Sequence, residues 1–159
     1  MPASTLEWLL EALTLGILLF WLYHLTLYRD TLPDGVPRGF NFAGQPRGSA
    51  SKLALWLLPS IGIIIYGSLT LLSRFPHLHN FPVEVKAANA KKLYGISRLV
   101  LQLLKFELIA CFGYIEWKML QTARGNAEGL GPWFVPLLLA VVFTTSLYPM
   151  LRMRRDTAG

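Results

Sequence analysis

Charge is scarce in this sequence. Only 15% of its residues are Asp, Glu, Lys or Arg, against roughly 25% in soluble domains, a balance that suits lipid better than water. Cysteine is nearly absent too: Cys111 stands alone inside an apolar stretch, which excludes a disulfide within the chain and leaves the redox compartment unread. No Ser-His-Asp or Cys-His arrangement presents itself, no His-Glu-x-x-His occurs, and no catalytic residue, cofactor or metal is expected. The glycines at 35, 39, 44 and 48 lack the strand-to-helix setting and the Lys-Ser/Thr of a phosphate-binding loop, so they read as turn formers. The net charge of +6 does not point to nucleic acid, because the basic residues are spread over loops and helix ends and form no stripe with interleaved aromatics.

What the chain has in abundance is apolar length. Of its 159 residues 53% are hydrophobic, and the mean hydropathy is +0.44. Four apolar stretches, at about 6–28, 53–73, 94–119 and 133–151, each approach the roughly 20 residues that span hydrocarbon. They predict an all-α fold, a single integral membrane domain built as a four-helix transmembrane bundle over residues 1–159. Stretch one is no signal peptide on this reading: it lacks a basic start, carries Glu7 and Glu11, and meets no small-residue cleavage site before Tyr28-Arg29-Asp30. Ser4-Thr5 suits its cap.

The remaining segments are punctuation. Residues 29–52, rich in Pro, Gly, Asn and Asp, predict an ordered loop. Pro59, with Gly62 and Gly67, predicts a kink and close packing in the second helix. A polar run from Glu84 reads as the start of helix three. The turn at 125–132 precedes helix four, with Pro132 suited to its first turn. Four spans put both termini on one side with the connection between helices two and three. That side holds Arg74, Lys86, Lys91, Lys92, Arg98, Arg152, Arg154 and Arg155, and the other holds Arg29, Arg38, Arg47, Lys52, Lys118 and Arg124. The surplus predicts cytoplasmic termini in a bacterial inner membrane.

Helix three carries the candidate chemistry. At about 100° per residue, Arg98, Gln102, Lys105 and Glu116 share one face, and Glu107, Tyr114 and Lys118 lie near the opposite one. A charge near the bilayer centre costs at least about 2.5 to 3.5 kcal/mol, so Lys105 needs a partner inside the bundle. Helices one and three point the same way, which brings Glu11 to the depth of Arg98 to Lys105 and predicts a Glu11–Lys105 or Glu11–Arg98 pair. These charges either fix helix order and rotation or line a proton or ion path. His77 and His79 form a His-x-His pair that reads as a chance pair in an interfacial loop, since His24 lies near the opposite face and no further ligands converge.

The stretch Leu32-Pro-Asp-Gly-Val-Pro-Arg-Gly-Phe-Asn-Phe-Ala-Gly-Gln-Pro-Arg-Gly-Ser-Ala-Ser-Lys52, followed by an apolar helix with Pro59, resembles a bacterial membrane family of unknown function whose domain also occurs in SdpI-type immunity proteins. Pro37, Phe40, Asn41, Gly44, Pro46, Gly48 and Lys52 match that family's loop pattern. Gly39 stands where the family has His, Arg47 where it has an acid and Ser49 where it has Trp, so no role of the family His carries over. The resemblance implies a four-helix membrane fold.

Three functions follow in order of expectation. The first is a bundle of binding or sensing type, related to toxin immunity or membrane signalling, with the loop facing outwards to meet a peptide, lipid or protein partner. The second is a small proton- or ion-coupled transporter component using Lys105, Glu107 and Glu116. The third is an enzyme acting on lipid through Glu107 or a His.

Overall fold

The computed structural model describes residues 4–157, apart from the side chains of Arg29 and of residues 155–157; Arg29 and Arg155 of the charge comparison therefore lie outside the described side chains. Helix α1 spans Thr5–Tyr28 and opens with a capping box. The Glu7 N–H donates to Ser4 Oγ at 3.2 Å, and the Ser4 N–H donates to the Glu7 carboxylate at 2.5 Å. Two N–H groups that a helix start leaves orphaned are thereby satisfied.

The segment predicted as a loop is a β-hairpin, so the fold is mostly helical rather than all-α. Strands β1, Gly35–Phe40, and β2, Pro46–Ser51, pair antiparallel with Val36 opposite Ala50 and Phe40 opposite Pro46. The turn residues that suggest a loop serve the hairpin connection. The Asn41 N–H donates to the Gln45 carbonyl at 3.0 Å, and the Gln45 N–H returns to the Asn41 side chain at 2.9 Å. Gly44 takes a φ of 76°, open to glycine at no steric cost. Val36 and Phe40, on one face of β1, turn towards Leu25, Leu32, Leu55, Met119 and Leu120 and close the bundle at this end.

A 3-10 turn over Lys52–Trp56 leads into α2, Leu57–Ser73. Pro59, where the sequence predicts a kink, therefore falls in the first turn of α2, a position at which proline is tolerated, just after the change of helix type. Gly62 does permit close packing, since a Cβ there would meet the Trp21 ring at 2.9 Å, whereas a Cβ at Gly67 would meet nothing within 4 Å. The polar run from Glu84 is turn rather than helix. The Asn89 side chain accepts from the Lys86 N–H and donates to the Glu84 carbonyl, at 2.8 and 3.0 Å, a local bonding pattern that competes with helix formation.

Helix α3, Ala90–Ala123, has 34 residues, about 50 Å at 1.5 Å each. Helix α4, Phe134–Thr157, starts two residues after Pro132. Helix α3 is the axis: α1, α2, α4 and β1 all pack on it, while α1 and α2 touch each other less. A mid-bundle cluster of Leu18, Trp21 and Ile109 sits apart from the cluster under the hairpin. Three helical stretches are long and apolar enough to cross a membrane: Thr5–Tyr28, Lys52–Ser73 and Phe134–Arg154. Helix α3 falls outside that set because it carries Arg98, Lys105, Glu107, Glu116 and Lys118. Two of those charged side chains are among the most buried groups of the protein: Lys105 is 1% and Glu116 0% exposed.

Candidate functional site

The ends of α1, α2 and α3 on the side of the N-terminus enclose a polar cleft of about 550 Å³. Glu11 and Thr70 line it, and Lys105 is buried behind them. The ammonium donates to Glu11 at 2.5 Å and to Thr70 Oγ1 at 2.9 Å, and it lies 4.8 Å from the centre of the Tyr66 ring. The Tyr66 hydroxyl donates to the second Glu11 oxygen at 2.5 Å. Both carboxylate oxygens are thus held by groups from two other helices, which compensates the buried cation. One layer up, Arg98 donates to Glu7 at 3.2 Å, on the same oxygen that receives the Ser4 N–H.

The two pairs, Glu7 with Arg98 and Glu11 with Lys105, ascend together along both helices, so α1 and α3 run in the same direction. Between them, the Gln102 side chain faces Glu11, and its carbonyl oxygen is buried with no hydrogen-bond partner among the described residues. Trp8, Ser73, Arg74, Pro76 and Tyr94 complete the wall. Trp8 is 66% exposed on the outer surface of α1, at the end of the helix, the level at which amphipathic rings settle in a membrane.

The other candidates on α3 do not join this site. Glu107 points to α4, where the Thr145 hydroxyl donates to it, and its second oxygen is buried without a hydrogen-bond partner among the described residues. Glu116 lies below the Trp21–Ile109 layer with neither oxygen hydrogen-bonded among the described residues. The Trp21 indole N–H faces it but falls short of hydrogen-bond geometry.

The loop-pattern residues have structural employment in the hairpin. Asn41 closes the turn, Phe40 packs on the core and Lys52 pairs with Asp34 at 3.4 Å. Pro37 pairs with Ser49, Pro46 opens β2 opposite Phe40, and Gly48 takes a φ of 64°. Gly44 docks on the α3–α4 connection: its carbonyl accepts the Leu130 N–H at 2.8 Å, and a Cβ on it would come within 2.3 Å of the Gly131 carbonyl oxygen. The two histidines diverge. The His79 Nε2–H donates to the Leu72 carbonyl at 3.0 Å, with Nδ1 2.9 Å from Ser97 Oγ, while His77 meets the Phe75 ring edge-on. Among the described residues no group of three or more His, Cys, Asp or Glu side chains is placed to hold a metal ion.

Sequence reasoning reached Glu11, Gln102 and Lys105 but not Glu7's role or the α2 wall. Tyr66, Thr70 and Arg74 recur every four residues, one helix face, and that spacing was the available signal. Compared with family models, curated proteins and solved structures, the chain matches none.

Proposed function

We propose that all four helices cross a bacterial inner membrane, with both termini cytoplasmic, and that the chain is a binding or sensing protein related to the SdpI-type family, its ligand site being the cleft at the terminal face. One observation carries this reading: the cleft is roomy and lined largely by polar and charged side chains of three helices. Glu11 and Thr70, which line it, are bonded to the buried Lys105 behind them, and Glu11 to Tyr66 as well. A ligand can enter the cleft and be held by its polar walls. Helix α3 supports its own crossing by burying Lys105 and Glu116 and turning Glu107 to α4, the arrangement that intramembrane ionisable residues require. A toxin-immunity or signalling role is the biological form of such binding. A protein or peptide partner at the hairpin face remains compatible with it, since β2 is exposed along most of its length.

The second reading, a proton- or ion-coupled component, is favoured by Glu116, a fully buried carboxyl with neither oxygen hydrogen-bonded among the described residues. Reconstitution separates the two. Liposomes loaded with a pH-sensitive dye and carrying the protein are expected to leak protons no faster than empty ones under an imposed potential. Flux that rises with protein and vanishes in Lys105→Met or Glu116→Gln would overturn the binding reading.

A further inference from the structure

The charges of the cleft do not cancel, and the remainder names a ligand class. Glu11 neutralises Lys105 and Glu7 neutralises Arg98. Arg74, at the C-terminal end of α2, lines the same cleft and has no ion pair among the described residues. The site therefore presents one uncompensated guanidinium, with Arg98 on the facing wall. It also presents a buried acceptor with no hydrogen-bond partner among the described residues, the Gln102 carbonyl oxygen, and the hydroxyls of Ser73 and Thr70. From this arrangement we infer that the cleft binds a monoanionic phosphodiester, its phosphate on Arg74 and a hydroxyl of its polar substituent on Gln102.

A guanidinium offers planar paired donors that match a phosphate better than a point charge does. A single surplus positive charge suits a phosphodiester, which carries one negative charge, rather than a phosphomonoester. The cleft wall includes Trp8, exposed on the outer surface of α1 beside Leu6 and Leu9, which are also exposed. That position puts the opening at the headgroup level of the bilayer, where phosphodiesters are most concentrated, so an anionic phospholipid headgroup is the source the geometry favours. Basic pockets between membrane helices are a known way of holding such headgroups. The inference rests on the binding reading above and sharpens it.

The test follows thermal unfolding of the full chain in a neutral detergent by its tryptophan fluorescence. The probes are short-chain phosphatidylglycerol, short-chain phosphatidylcholine, glycerophosphoglycerol and inorganic phosphate. Phosphatidylglycerol is expected to raise the midpoint saturably. Arg74→Gln, a change at an exposed residue that spares the fold, is expected to raise the half-saturating concentration about tenfold, the loss of one charge-assisted hydrogen bond, and Arg74→Lys to recover part of it. The same Arg74-dependent saturation by glycerophosphoglycerol would support the ligand class and assign it to a soluble source. Equal saturation by phosphatidylcholine, unaffected by Arg74→Gln but weakened by Gln102→Leu, would overturn the anion while leaving a binding cleft. No saturable response to any probe overturns the inference, and the liposome flux measurement then decides the reading beneath it.

Discussion

Two layers of the same helix face, eleven residues apart on α3, handle a buried charge-bearing group in opposite ways. At the cleft end, Lys105 is 1% exposed and meets Glu11, Thr70 and the Tyr66 ring, so three helices contribute to one polar cluster. At the hairpin end, Glu116 is 0% exposed and faces the Trp21 indole, with both oxygens unpartnered among the described residues. The first layer locks α1 and α2 onto α3. The second is held by apolar packing and by the hairpin, and its carboxyl is a cost the rest of the layer offsets. Burial alone therefore does not say what a charged group contributes; its partners do.

The largest expected effect breaks the first layer. Lys105→Met leaves the Glu11 carboxylate without its cation and is expected to cost about 3–5 kcal/mol of stability, read as a lowered unfolding midpoint in mild detergent. Glu11→Gln combined with Lys105→Met should recover a large part of that loss. Equal losses in the single and double variants would mean that the pair does not hold the layer together.

Next comes the hairpin's docking. Gly129 takes a φ of 145°, and a Cβ there would stand 2.1 Å from the Gly44 carbonyl oxygen. Gly129→Ala is therefore expected to cost about 1–3 kcal/mol and to expose the 41–45 turn to limited proteolysis. A neutral result would show that the tip is not seated on the α3–α4 connection.

Glu116→Leu sharpens the comparison with a change of sign. Removing a buried carboxyl that no group bonds is expected to stabilise by about 1 kcal/mol, so the midpoint should rise where that of Lys105→Met falls. A marked drop would reveal a partner for Glu116 and erase the contrast. The smallest effect is expected at Lys52, whose contact with Asp34 is open to water: Lys52→Ala should leave the midpoint unchanged within error, as exposed ion pairs usually do.

The sequence made the helices legible because apolar length is a strong signal, and it made the Glu11–Lys105 contact legible because a charge near mid-membrane requires a partner whose depth can be counted along a helix. The hairpin was not legible. Its inward residues are only Val36 and Phe40, and the interleaved Pro37, Gly39, Pro46 and Gly48 mask a two-residue alternation. The cleft was half legible. Arg98, Gln102 and Lys105 showed their common face, whereas Tyr66, Thr70 and Arg74 sit in an apolar run where hydroxyls and one terminal arginine do not stand out. Glu7, which in the sequence counts only against a signal peptide, serves as both cap and ion-pair partner.

The central claim is that α3 crosses the bilayer as the buried axis, which puts the cleft and the hairpin on opposite faces. Single cysteines at His77 and at Glu128, exposed positions on either side of α3 and introduced with Cys111→Ala, test it most directly when a membrane-impermeant maleimide is applied to intact cells and to inverted vesicles. The account predicts that Glu128→Cys labels in cells and His77→Cys only in inverted vesicles. Labelling of both from the same side would contradict it.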